Sequence, residues 1–168
     1  QSVSAALQAH SRDELIPLLA EPTIAHALAA TFEAVADAGI QLDTAGQLAA
    51  SRGRAGCVIG TSKGGVRTLH ELIHAERGRA TSVSKEKFDD DAWWTMIAPS
   101  GPASAVSALL GTEGPLLAPV AACATGLMSL VRAAELIESG ACDVVIAGSS
   151  DASLTPAIVA SFRKLGVL

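Results

Sequence analysis

The sequence predicts an α/β fold with a largely parallel sheet, and two observations carry that reading. First, three short apolar runs of strand length recur along the chain: "AGCVIG", "PLLAPVAAC" and "CDVVIAG". Strands buried on both faces read as continuous apolar runs rather than as alternating ones. Second, segments with helical periodicity separate these runs. Strand–helix alternation is the pattern of parallel crossover units.

The elements follow in order. A first clear helix runs from Pro22 to Ala38, with proline in its first turn and Gly39 as its stop. Ile24, Leu28, Phe32 and Val35 fall on one face of it. Residues 41–54 are polar and read as a loop. The strand "AGCVIG" (55–60) runs into the glycine turn "GTSKGG", and a helix follows from Val66 to Arg77. Its spacing turns Val66, Leu69, Leu72 and Ile73 inward. Residues 78–94 are charged and irregular. "PSGPASAVSALLG" reads as a turn into a small-residue helix ending near Gly111. The run at 115–123 is a second buried strand, which Pro119 places at an edge or a bulge. A strong helix spans Thr125 to Ser139, with Leu127, Leu130, Val131, Ala134 and Ile137 in helical rhythm and Gly140 at its end. The third strand is 142–148, "SSDASLTP" is a loop, and "AIVASFRKLG" starts a last helix.

Composition narrows the function. The chain has 168 residues, enough for one domain with a sizeable core. It is 49% hydrophobic and only 17% charged, which points to a deeply buried fold or a piece of something larger. A net charge of -5 and a pI near 5.3 argue against nucleic acid and anionic membranes as partners. No apolar run reaches the roughly 18–20 residues that span a bilayer, and the N-terminus lacks the pattern of a signal peptide. Cys57, Cys123 and Cys142 are odd in number and form no C-x-x-C, so a reducing cytosol is the expected compartment. There is no G-x-G-x-x-G and no Walker sequence, so no nucleotide cofactor is expected.

One motif suggests a metal. "HELIH" fits H-E-x-x-H, in which His70 and His74 would hold zinc and Glu71 would act as general base. Catalytic zinc normally takes a third protein ligand. No histidine follows His74, the extended motif would need one at Ala80, and Glu86 and Glu113 lie outside a convincing helical context. The competing expectation is a solvated helix face and no metal.

A different stretch carries more chemistry. Cys123 stands where a strand turns into a helix, and a thiol there feels unpaired N–H groups and the positive end of the helix dipole. Both favour the thiolate, the nucleophilic form. The small neighbours Ala121, Ala122, Ala124 and Gly126 permit a sharp elbow and the approach of an acyl chain. The Cys123 N–H can face an oxyanion. The alternative is a buried cysteine that merely packs.

These residues resemble the β-ketoacyl synthases of the condensing-enzyme, thiolase-like superfamily. The likeness rests on "ACATG" (122–126), the helix end "AAELIESG", the strand "CDVVIAG" and "LTPAIVASFRKLGVL". Upstream, "TIAHALAATFEAVADAGIQL", "CVIGTSKGG" and "GPASAVSALLGTEGPLLAPVAAC" fit as well, while the first twenty residues fit weakly. The resemblance implies a thiolase-like fold, of which residues 1–168 form one incomplete half, a partial N-terminal domain. It implies Cys123 as the acyl-accepting nucleophile, with Thr125 and Gly126 shaping the elbow beside the substrate. Met96 and Met128 are candidate neighbours of an acyl pocket, with core packing as the alternative for each.

It further implies acyl carrier protein thioesters as partners, and a homodimer or a complementary ketosynthase half. In the family the strand before the cysteine, here Leu117 to Val120, lies at a twofold interface. Ser149, Ser150 and Asp151 depart from the family's paired glycines and glutamate. Ketosynthases also use two basic side chains, typically histidines, and a lysine downstream of the cysteine. Here His10, His26, His70 and His74 all precede Cys123. The expected chemistry is therefore decarboxylative Claisen condensation by the parent enzyme, with this chain able at best to accept the acyl group. A non-catalytic scaffold or a chain-length-factor-like partner is the alternative, although the latter typically lacks the cysteine.

Overall fold

The computed structural model describes residues 3–10, 12–49, 52–78 and 92–168. Three parallel strands form its sheet in the order β2-β1-β3. β1 (Ala55–Gly60) is central and every residue in it is buried. It pairs with β3 (Val144–Ser149) from Ala55↔Val144 to Gly60↔Ser149, and with β2 (Leu116–Leu117) at Cys57↔Leu116 and Val58↔Leu117. The expected parallel α/β architecture is present.

Side chains alternate across a strand, so β1 presents two different faces. Cys57 and Ile59 face the larger core, and the Cys57 thiol donates to Ala103 O at 3.5 Å. Helices α2 (Pro22–Asp37) and α5 (Gly101–Leu110) supply that core with Ile24, Leu28, Val35, Val106, Leu109 and Leu110. The other face carries Gly56 and Gly60 and receives α6 (Thr125–Glu138). A Cβ on Gly60 would stand 2.4 Å from Thr125 Cγ2 and 2.6 Å from Pro119 O. Only glycine lets α6 sit that close to the strand.

The N-terminal stretch has more structure than its weak resemblance suggests. Helix α1 (Val3–Ala9) and a 3-10 segment over Asp13–Ala20 bring Leu7, Leu15 and Leu18 into the core. α2 starts on Pro22 as expected, and Gly39 follows it with φ 64°. The loop after it holds a bridge between Leu42 and Leu48, and Leu48 is buried.

Four expectations need correction. β2 has two exposed residues, not nine buried ones. Pro115 and Pro119 flank it and cannot donate to a ladder, so pairing with β1 stops after one short step. β3 lies at the other sheet edge and is only partly buried. The inward face of α3 (Val66–Glu76) is also not the one its apolar rhythm predicts. Leu69 and Ile73 are each 40% exposed, while Thr68 is buried. The cause is Glu21, fully buried, whose carboxyl oxygens accept from Thr68 N (3.1 Å), Thr68 Oγ1 (2.7 Å) and Thr23 N (3.1 Å). One side chain thus caps α2 and α3 together, and this polar anchor sets the face that α3 turns inward. Finally, most of the irregular stretch expected at 78–94 lies outside the described residues. Its end, however, is helix α4 (Ala92–Ile97), in which Trp93 and Trp94 stack at 3.8 Å.

Candidate functional site

The strand β1 and the strand β3 both end at Gly60 and Ser149, and α6 and α7 (Pro156–Lys164) begin on the same side of the sheet. Ligands in open α/β sheets bind outside the carboxyl ends of strands. A cleft of about 500 Å³ lies there. Thr61, Ser62 and Lys63 line it from the turn after β1; Ala122, Cys123, Thr125 and Gly126 from the start of α6; and Ser149 to Asp151 from the end of β3. Ser153, Leu154, Ile158 and Phe162 complete the wall.

Cys123 is exposed and sits in the one-turn 3-10 segment Ala122–Ala124 that leads into α6. Its neighbour Ala122 has φ 48°, and among the described residues no other non-glycine has a positive φ. A left-handed alanine is uncommon and costs free energy, so something must hold it. Thr125 does so. Its buried hydroxyl accepts from Ala121 N at 3.0 Å and donates to Ala122 O at 2.7 Å. Ala124 N adds a bond to Ala121 O at 2.9 Å. No side chain caps the N-terminus of α6, and its first amide, Thr125 N, donates to Ala122 O within the elbow. The arrangement presents a thiol to an electrophile arriving from solvent.

Of the residues singled out from the sequence, Cys123, Thr125 and Gly126 meet in this cleft. Thr125 acts on the backbone of the elbow, and Gly126 leaves room for Ser149, whose Oγ would be 2.9 Å from a Cβ there. Met128 lies on the exposed side of α6 and is not among the lining residues, and Met96 is buried in the core. Cys57 and Cys142 are buried, and burial pushes the Cys57 thiol up to about 12.

His70 and His74 sit together on α3 with ring centroids 4.2 Å apart. Neither lines the cleft, and among the described residues no group of three or more metal-ligating side chains forms. No helix among them is long and apolar enough to cross a membrane.

Sequence reasoning missed the polar wall of the cleft. The Asp151 carboxylate accepts from Ser62 Oγ, from Ser153 Oγ and from Ser153 N at 2.9 Å, and Lys63 Nζ stands 3.8 Å away. Lys63 also donates to Ser62 Oγ at 2.8 Å and lies 5.9 Å from the centre of the Phe162 ring. Partial burial pushes the Asp151 carboxyl up. The hydrogen bonds from Ser153 and Ser62 and the nearby Lys63 charge outweigh that and hold it below the usual carboxylate range. The available signal was positional: "TSK" and "SSDAS" each follow directly on a strand.

Comparison with known proteins agrees with this geometry. A Streptomyces halstedii protein named "Putative polyketide beta-ketoacyl synthase 1" is 32% identical over 158 residues, covering 94% of this chain and 36% of its own length. The 3-oxoacyl-(acyl-carrier-protein) synthase 2 of Staphylococcus aureus strain N315 is 34% identical over 137 residues, 82% of this chain and 31% of that protein. A solved complex, described as a type II PKS acyl-carrier protein with its ketosynthase bound to the hexaketide, superposes with a TM-score of 0.71 at 26% identity. It covers 88% of this chain and 35% of the chain matched. The fold is therefore thiolase-like, and the chain spans about a third of the length of these proteins. The model of the beta-ketoacyl synthase N-terminal domain matches residues 17–168, and the chain belongs to that family.

Proposed function

We propose that this chain is the acyl-accepting part of a β-ketoacyl synthase, with Cys123 as its nucleophile. The observation that carries the reading is an exposed thiol on a strained elbow, inside a cleft at the carboxyl ends of β1 and β3. The Cys123 sulfur attacks the carbonyl carbon of an acyl thioester. A new carbon–sulfur bond forms and the carbonyl oxygen takes the negative charge; the carbonyl then re-forms, the bond to the donor sulfur breaks, and the donor leaves as a thiol with the proton that Cys123 gave up. The Cys123 N–H, just before the start of α6, stabilises that oxyanion.

The second half of the reaction joins a carbanion, released by decarboxylation of a malonyl thioester, to the bound acyl group. That step needs donors for the enolate. No histidine lines the cleft among the described residues, so the chain is expected to be acylated without condensing. The natural donor is an acyl carrier protein thioester, by analogy with the solved ketosynthase complex. The relatives are about three times as long, and the apolar side of α6 is exposed here, so a complementary ketosynthase half is the expected cover for that side.

Intact-protein mass spectrometry after incubation with an acyl thioester tests this. The expected result is one acyl adduct on the wild-type chain, located at Cys123, and none on Cys123→Ser. An adduct that survives in Cys123→Ser overturns the assignment. Absence of any adduct on the wild type supports a non-catalytic scaffold instead.

A further inference from the structure

We propose that Lys63 determines which acyl groups the cleft accepts, favouring chains that carry a carbonyl oxygen over saturated alkyl chains of the same length. This rests on the reading of Cys123 as the acyl acceptor. Three observations on the cleft support it.

The first is the position of Lys63. It lines the cleft that also contains Cys123, and its side chain is 32% exposed there. Its ammonium has three donor positions. Ser62 Oγ takes one at 2.8 Å, and Asp151 at 3.8 Å supplies charge rather than a close hydrogen bond. An acyl carbonyl entering the cleft offers an acceptor for the remaining donors. A saturated chain offers none, and it strips water from the cation as it packs.

The second is the hydroxyl of Thr61. This residue lines the cleft and is fully buried, yet its Oγ1 has no hydrogen-bond partner among the described residues. Buried hydroxyls are normally paired, so this one lacks the kind of partner that a chain oxygen provides.

The third is how the wall is divided. Leu154, Ile158 and Phe162 give an apolar side, while Ser62, Lys63, Asp151 and Ser153 form a connected polar side. Phe162 joins the two, because the Lys63 ammonium sits near its ring. A uniformly alkyl ligand satisfies one side only. A 3-oxoacyl chain, with carbonyl oxygens spaced along a carbon backbone, satisfies both.

The test compares acylation rates of Cys123 by the N-acetylcysteamine thioesters of hexanoate and 3-oxohexanoate, read by intact-protein mass spectrometry. Wild type, Lys63→Leu and Lys63→Arg are measured side by side. Intrinsic electrophilicity differs between the two thioesters but cancels when the rate ratio is compared between proteins. The expected result is a preference for the 3-oxo thioester that falls about tenfold in Lys63→Leu and is retained in Lys63→Arg, the size expected for one hydrogen bond to a charged group. An unchanged ratio in Lys63→Leu, with Cys123 still acylated, overturns the role of Lys63 and leaves the acyl-acceptor reading standing. Failure of every protein to be acylated by either thioester overturns both.

Discussion

Glu21 offers the sharpest test of how this fold is held, because one side chain caps two helices. Replacing it by alanine removes three acceptor contacts: to Thr23 N at the start of α2, and to Thr68 N and Oγ1 at the start of α3. At α3 the local cap cannot replace them, since Gly65, the residue before the helix, has no side chain to cap with. Loss of an N-cap costs about 1 kcal/mol per helix, and each buried donor left unpaired costs about 1–3 kcal/mol. The two counts overlap, so we expect Glu21→Ala to lose about 3–4 kcal/mol. Glu21→Gln keeps the volume and one acceptor oxygen but turns an amide N–H₂ toward other donors, for a loss of about 1–2 kcal/mol. For a domain of this size the alanine change lowers Tm by roughly 6–15 °C. Urea unfolding followed by circular dichroism measures the effect as a drop in midpoint at constant slope. Amide exchange should speed up at Thr68 and Thr23 in particular. A Glu21→Ala midpoint equal to wild type, with Thr68 exchange unchanged, would refute the double cap.

Three further outcomes follow from the same coordinates. Under native conditions iodoacetamide should modify Cys123 and leave Cys57 and Cys142 intact, because both are buried and the Cys57 thiol is pushed up to about 12. Equal labelling of all three by mass spectrometry would contradict the placement. Gly60→Ala should lower the urea midpoint by about 1–3 kcal/mol equivalent and slow Cys123 labelling, because the added methyl drives α6 off β1. Arg54 donates twice to Asp143 at 2.6 Å, joining the starts of β1 and β3. Those hydrogen bonds, with the guanidinium charge, hold the Asp143 carboxyl below its usual range. The pair's stabilisation is therefore complete above about pH 4 and fades as pH falls through the lowered value. In urea midpoints measured from neutral to acid pH, Asp143→Asn should show a flatter acid limb than wild type, by a small amount because the pair is exposed.

How much of this was legible in the sequence depends on what kind of force fixed each part. β1, α2, α5 and α6 were readable because apolar runs, a first-turn proline and terminal glycines are local signals. The Cys123 elbow was readable for the same reason, as small residues running into a strong helix, although the strand expected to reach it ends at Leu117. α3 was misread because its orientation comes from Glu21, which lies 47 residues away and carries no mark of burial in its own neighbourhood. β2 was overread because apolar residues between two prolines look like a buried strand, while backbone donors decide how far it pairs. The charged side of the cleft was missed for a related reason. Lys63 and Asp151 are unremarkable in their own segments, and only the parallel pairing of β1 with β3 brings them together.

The two faces of α6 leave a last argument. Its buried positions are Thr125, Ser129 and Ala133, and its exposed positions include Leu127 at 66%, Leu130 at 55% and Ile137 at 48%. That is the reverse of a helix at the surface of a finished domain, which turns its apolar stripe inward. The inner side is small because Gly60 admits the helix close to the strand, against Thr125 and Ser129, so the large side chains have nowhere to go but outward. Burying a leucine side chain is worth about 1.5–3 kcal/mol, so the stripe forgoes several kcal/mol that an apposed surface would recover. Met128 and Val131 extend the same patch. Sedimentation velocity on the isolated chain should therefore show concentration-dependent association, and a Leu127→Glu, Leu130→Glu double variant should suppress it without slowing iodoacetamide labelling of Cys123. If the wild-type chain stays monomeric at high concentration and does not bind an apolar dye more than the double variant does, the exposed stripe is not an interface. The proposal of a complementary half over α6 would then fail, while the acyl-acceptor assignment, which rests on the exposed thiol of the Cys123 elbow, would remain to be judged on its own test.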